Sequence, residues 1–270
     1  MAEQLKERKW EIMEVGEEFG PVKVVVDERR VKNFVYAVDD FDPAYLGGKG
    51  GRIAPPTVLG NALLRITMTK YNWVGSSGLH ARQEYEFFNP VAVGEEVTVT
   101  GRYIDKFIRR EKEYMVLEAE ARDSKGKLVL RGRATDLHGL KRGTVKDAPS
   151  TSAPAAPPPA EKSEPAPSGP VVEKASKDVP IGAQVPPLVK TVLMEQMVVY
   201  TGTERKNIHN GPEFARNAGL PNAISQGLTS VDYISQAMGS FFGKGWQRGG
   251  KVSVAFVSPV YAGDTITVKG

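Results

Sequence analysis

The stretch YEFFNPVAVGEEVTVTG (85–101) returns near the C-terminal end as VAFVSPVYAGDTITVKG (254–270). Without a gap, Phe87, Pro90, Val91, Gly94, Thr98, Val99 and Gly101 recur as Phe256, Pro259, Val260, Gly263, Thr267, Val268 and Gly270. Similarity of this kind marks a duplicated fold unit. Each copy carries a Pro- and Gly-marked turn followed by alternating apolar and polar residues, as in VTVTG and ITVKG. The reading is a strand, a turn and a second strand, twice.

Working outward from the first copy, Pro21 to Val26 predicts a strand, and Asp27 can cap a helix running through Val38. The Pro55-Pro56 break precedes an apolar stretch, Thr57 to Lys70, that predicts a longer helix. Four strand-like runs follow near 80–91, 96–107, 113–123 and 127–138, with SKGK (124–127) as a tight turn. One long helix against an antiparallel sheet that wraps it is an α+β architecture. Around the second copy the order repeats: a strand near 189–192, helical turns at 195–201 and 212–217, a helix from Ser225, then strands at 251–260 and 264–270. Counterparts of 113–138 do not follow Gly270. Half a sheet would leave edges unpaired, so a continuation of this chain or a partner chain is expected to supply them.

Between the copies lies APSTSAPAAPPPAEKSEPAPSGP (148–170), without one large apolar residue. Such a segment cannot bury enough surface to offset its ordering entropy, and it predicts a disordered, extended linker over 143–178. The expected domains are therefore 1–142 and 179–270.

A chain of 270 residues, 40% apolar and 25% charged, can bury two cores of ordinary size. It has no long apolar run, and MAEQLKERKW is charged where a signal peptide would be apolar, so a cytoplasmic protein without a membrane role is expected. Absence of cysteine excludes disulfides, zinc-thiolate sites and a thiol nucleophile. The three histidines, His80, His138 and His209, form no ligand-spaced pair, so no metal is expected. Despite a net charge of +4, basic and acidic residues are interleaved, which argues against a nucleic-acid partner.

Chemistry concentrates between Tyr200 and Met238. Glu204 and His209 stand close in sequence, and Gly227 opens a predicted helix for which Ser225 is a plausible cap. An acid, an imidazole and a helix-start amide could form a site. Each has a plainer explanation: Glu204 as a surface carboxylate beside Arg205 and Lys206, His209 as a loop residue beside Asn210-Gly211-Pro212, Gly227 as a point of close packing. Leu228, Val231, Ile234 and Met238 follow a helical period and read as core. GKGWQRGGK (243–251) reads as a helix-to-strand loop. His80 and His138 fall in strand-like segments and read as structural.

Aligning the halves on Val35-Tyr36 and Val199-Tyr200 places Asp40 opposite Glu204 and Tyr45 opposite His209. Aligning Ile53-Ala54-Pro55-Pro56 with Ile224-Ser225-Gln226-Gly227 places Pro56 opposite Gly227. Proline has no N–H to donate, so the first half is expected to be a non-catalytic copy.

On Glu204, His209, Phe214-Ala215, Gln226-Gly227 and the 256–270 strand pair, together with Asp40-Phe41-Asp42-Pro43 and Ile53 to Thr57, the chain resembles the MaoC-like dehydratase and type-2, R-specific enoyl-CoA hydratase family. The family pattern is Asp, any residue, Asn, Pro, any residue, His, then a His-Gly pair opening the long helix. Here Glu204 stands for the Asp, Lys206-Asn207 for Asn-Pro, and Gln226-Gly227 for His-Gly. The resemblance implies two tandem hot-dog domains and a lyase that adds water to, or removes it from, the 2,3 double bond of an enoyl-CoA, with a bulky or long acyl group. Glu204 and His209 would share one water, the Gly227 amide would hold the thioester oxygen, and Gln226, Tyr200 and Asn207 would contact substrate. Coenzyme A would enter as part of the substrate, with no further cofactor, and the protein would be a homo-oligomer or pair with another hot-dog subunit. A hot-dog thioesterase and a non-catalytic acyl-CoA-binding or assembly subunit are the alternatives.

Overall fold

The computed structural model describes residues 4–47, 52–73, 78–138, 169–203 and 205–270. The first half comprises β1 (Lys6–Glu7), β2 (Glu18–Val25), α1 (Glu28–Val38), α2 (Pro43–Leu46), α3 (Gly60–Leu64), β3 (Tyr71–Asn72), β4 (Gly78–Phe87), β5 (Glu96–Arg109), β6 (Lys112–Arg122) and β7 (Leu128–His138). Asp27 caps α1 by accepting from the Arg30 amide at 2.7 Å, and α1 ends where Asp39 turns left-handed, φ 52°. The SKGK turn is held by the Asp123 carboxylate, which accepts from the Lys125 and Lys127 amides at 2.9 and 2.8 Å.

The expected long helix over 57–70 is a correction. The chain leaves Pro55 in turns, is α-helical only over α3, and tightens into a 3-10 segment at Arg65–Thr69. Two prolines withhold amides at the start, and at the end the Thr69 hydroxyl donates to the Ile66 carbonyl at 2.7 Å, a local bond that competes with regular helix.

The second half comprises β8 (Leu188–Thr191), α4 (Met194–Thr201), α5 (Pro212–Asn217), α6 (Gly227–Phe242), β9 (Lys251–Ala255) and β10 (Thr265–Val268). The GKGWQRGGK stretch is a 3-10 segment, Gly243–Arg248, rather than an open loop, anchored by buried Trp246 donating to Ser235 Oγ at 2.9 Å. Six antiparallel strands run in the order β2-β5-β6-β7-β4-β9, so the halves share one sheet through β4 and β9, Arg82 facing Ala255 and Glu86 facing Lys251. Period-2 alternation fixes its faces. Met115, Leu117, Ala119 and Ala121 of β6 point inward, while Glu118 and Glu120 point outward to Arg133 and Arg131 of β7, at 2.9 and 2.8 Å.

β10 pairs with β8 in a separate ribbon. In the first half β6 and β7 fill the space between β5 and β4; among the described residues no strand stands between β10 and β9. The repeat shows the consequence for packing. Phe87, Val97 and Val99 are 3%, 0% and 0% exposed, whereas their counterparts Phe256, Ile266 and Val268 are only half-buried.

Residues 143–168 of the expected linker, and 139–142 before it, lie outside the described residues. Its end, 170–178, departs from an extended coil. The Val172 amide donates to the Gln184 carbonyl at 3.0 Å, Gln184 to Pro170 at 2.9 Å, and Ala175 to Phe241 at 2.9 Å, so this segment is tied to the second half.

The halves also join face to face. Leu228 and Val231 of α6, and Trp246, belong to the buried cluster formed by the first-half sheet and helices. Burying each such aliphatic side chain stabilises by roughly 1.5–3 kcal/mol. α1 and α4 pack together, with Phe34 and Tyr200 ring centroids 6.2 Å apart. Gln196 donates to the Tyr36 carbonyl at 3.1 Å, and the buried Lys190 ammonium donates to the Asp39 carbonyl at 2.5 Å and to its carboxylate at 3.1 Å.

Candidate functional site

The loop between α4 and α5 is built by asparagines. Asn210, buried, donates to the carbonyls of Gly202 at 2.7 Å and Arg205 at 3.0 Å, and its own oxygen accepts from the Asn207 amide at 2.8 Å. Asn207 Oδ1 in turn accepts from the His209 amide at 2.8 Å. Asn207, expected to contact substrate, thus uses its carboxamide to hold the backbone of its own loop.

His209 is aimed by a bond to a different segment. Its Nδ1 lies 2.7 Å from the Ile224 carbonyl, which can only accept, so Nδ1 carries the proton and Nε2 keeps its lone pair. Burial holds the imidazole below its ordinary pKa; the carbonyl bond opposes this and the positive charge of Arg65 adds to it. The group is therefore a neutral base at pH 7. The Ile224 amide donates to the Ile208 carbonyl at 3.0 Å, so the loop carrying His209 and the segment leading into α6 are bonded twice.

That segment ends at the start of α6. The expected Ser225 cap is a correction: the Ser225 amide donates to the Val260 carbonyl at 2.8 Å in extended backbone, and Gln226 occupies the cap without a side-chain capping bond. Gln226 instead donates from Nε2 to Thr201 Oγ1 at 3.0 Å, tying the helix start to the end of α4. Gly227 is the first helical residue. A Cβ there would stand 3.0–3.1 Å from three ring atoms of Phe256, so close packing favours glycine unless that ring gives way by a few tenths of an ångström. Phe256 also meets His80, edge to face at 4.9 Å between centroids.

Tyr200, also expected to contact substrate, turns its hydroxyl inward to the Asp232 carboxylate at 2.6 Å. Asp232, buried on α6, is pushed up to about 7 by desolvation, against the pull of hydrogen bonds from Tyr200 and Thr57; the charge of Asp40 raises it further. Asp40 is itself pushed up to about 6, chiefly by burial. Sequence reading passed over Asp232, although the repeat pairs it with Asn61, a second polar residue on the helix that each half packs inside. It also passed over Arg65, which reaches from the first half to the Thr201 carbonyl at 3.2 Å. Glu204 lies outside the described residues. The structure thus brings His209, Gln226 and Gly227 together through Ile224 and Thr201, and assigns the polar groups of Asn207 and Tyr200 to protein partners.

Residues 13–131 match the domain described as FAS1-like, dehydratase domain region, and residues 176–270 match the MaoC like domain. The chain thus carries a FAS1-like dehydratase region followed by a MaoC-like domain, two tandem domains of hot-dog fold. Among solved structures, a MaoC-like dehydratase superposes with a TM-score of 0.71 at 18% identity over 96% of this chain and 88% of the other. The MaoC-like dehydratase from Phytophthora capsici gives 0.65 at 17%, over 94% and 85%. A putative MaoC domain protein dehydratase from Chloroflexus aurantiacus gives 0.66 at 15%, over 100% and 83%. No curated protein sequence matches the chain. Among the described residues no helix is long and apolar enough to cross a membrane.

Proposed function

We propose that this hydratase or dehydratase acts on a 2-enoyl thioester of coenzyme A, adding water across the 2,3 double bond or removing it, with His209 as the base. The observation that carries this reading is the Nδ1 bond to Ile224, which leaves Nε2 unprotonated on a half-buried imidazole bonded to the segment that starts α6. Water attacking C3 needs a base, C2 needs a proton, and the thioester oxygen needs a donor. His209 Nε2 accepts the proton from water. Glu204, five residues earlier in sequence, enters protonated, gives its proton to C2 as the water oxygen bonds C3 and regains one from the His209 imidazolium, while the Gly227 amide, aided by the α6 dipole, takes the thioester oxygen. The reaction is redox-neutral and coenzyme A enters as part of the substrate, so no further cofactor is invoked. A cytoplasmic location, a bulky acyl group and assembly with a second hot-dog subunit belong to the same proposal.

Incubation with an enoyl-CoA, followed at once by enoyl absorbance and free thiol, tests it. Loss of absorbance without thiol is expected, and His209→Gln should slow it about 10²- to 10⁴-fold. Thiol release would favour a thioesterase, and an unchanged rate in the variant would remove His209 from the mechanism.

A further inference from the structure

Arg65 belongs to the half that lacks the histidine, yet it stands at the site of the other half. Its Nη2 donates to the Thr201 carbonyl at 3.2 Å, and Thr201 Oγ1 accepts from Gln226, the residue before Gly227. Its charge reaches the half-buried His209, where after desolvation and the carbonyl bond it is the remaining influence on the imidazole. Arg65 is exposed and, among the described residues, forms no ion pair with a carboxylate. Other positive charges lie around it. Arg30 of α1, partly offset by Asp27, is close enough to be repelled by both Arg29 and Arg65. The loop leaving Thr201 carries exposed Arg205 and Lys206. Like charges brought together repel one another and suit a multiply charged anion.

The repeat sharpens the point. In the alignment that pairs Ile53 with Ile224, Arg65 pairs with Gln236. Gln236 makes the equivalent contact in the opposite direction, donating from Nε2 to the Asp39 carbonyl at the end of α1, at 3.2 Å. The two halves thus touch twice in the same way, each through a side chain of its central helical segment reaching the end of the other half's α1 or α4. A neutral amide suffices for that contact where it faces the copy without a histidine. Facing His209, the position is a guanidinium, which keeps further N–H donors after one is spent on Thr201.

We propose that Arg65, with Arg30 beside it, binds the phosphates of a coenzyme A thioester and so delivers the first half's contribution to the second half's site. This rests on the thioester reading above. Binding of coenzyme A and of phosphate-free pantetheine to the full chain, by calorimetry at low and raised salt, tests it, because neither measurement requires turnover. Arg65→Gln, which copies Gln236 and can keep the Thr201 contact, should weaken coenzyme A binding about tenfold or more and flatten its salt dependence, leaving pantetheine binding unchanged. Arg65→Lys should recover part of the affinity for coenzyme A. Equal loss for both ligands would make Arg65 a structural residue, and unchanged coenzyme A binding would overturn the proposal outright. A parent protein that binds no coenzyme A yet hydrates an enoyl-pantetheine overturns the phosphate site and spares the reaction. One that binds coenzyme A through Arg65 without enoyl turnover does the reverse.

Discussion

Replacing Asp232 by Asn should change how stability depends on pH more than it changes the structure. In an unfolded chain an aspartate titrates near 3.9; in the folded protein burial pushes Asp232 up to about 7. Between those values the folded state holds a proton that the unfolded state has released. Stability is therefore complete below about pH 4 and declines as pH rises through 7. Roughly three units at 1.36 kcal/mol each give about 4 kcal/mol as the full penalty. Asparagine is nearly isosteric, can still accept from the Tyr200 hydroxyl now 2.6 Å from the carboxylate, and is the residue that the first half carries at position 61. Asp40, pushed up to about 6, remains in both proteins, and its own titration largely cancels. Urea melts followed by circular dichroism from pH 4.5 to 8.5 should give curves that converge at the acid end. At pH 8.5 Asp232→Asn should be the more stable by about 2–4 kcal/mol. Parallel curves across that range would mean that the carboxylate is not desolvated as described.

Gly227→Ala retains the amide but sets a methyl against the Phe256 ring, which should lower stability by about 1–3 kcal/mol. In a Phe256→Leu background the penalty should shrink, and a double-mutant cycle with no coupling would dismiss packing as the reason for glycine. Asn207→Ala leaves the His209 amide without its acceptor. It should cost about 1–2 kcal/mol, speed hydrogen exchange over 208–211 and lower kcat with KM nearly unchanged; a raised KM alone would instead return Asn207 to the role of a substrate contact.

Local chemistry made much of the fold legible. Asp27 before an apolar period, Pro212 at the first position of α5 and Asp123 at the head of a turn each act within a few residues, and each does what its side chain dictates. Where several local signals compete, sequence reading failed. Thr57 to Lys70 is apolar enough for a long helix, but proline at one end and threonine back-bonding at the other left only Gly60–Leu64 regular. Ser225 has the composition of a cap, but α6 starts one residue later and the cap position falls to Gln226. Residues 170–178 are polar apart from Pro170, Val171, Val172 and Ala175 and read as part of the linker, yet they bond to Gln184 and Phe241.

The site divides along the same line. The sequence singles out His209 and Gly227 as candidates because the repeat gives each a counterpart, Tyr45 and Pro56, unable to do the same work. Asp232 and Arg65 act across more than a hundred residues of chain or from inside a helix, where no spacing points to them. Both were nevertheless encoded in the duplication. Once the halves are aligned, each pairs with a neutral residue of like shape or reach, Asn61 and Gln236, so the charge of each appears on one side of the pseudo-symmetric interface and not on the other. The two copies contact each other twice through equivalent positions, and such contacts would be satisfied by amides on both sides. A charge at one member of each pair is a departure that the shared fold does not require. Both departures fall beside the half that keeps the histidine: Arg65 at the end of α4, and Asp232 under Tyr200 on α6. A first half retained only to complete the sheet would have no reason to carry a guanidinium there, whereas one that supplies a binding group to its neighbour's site would.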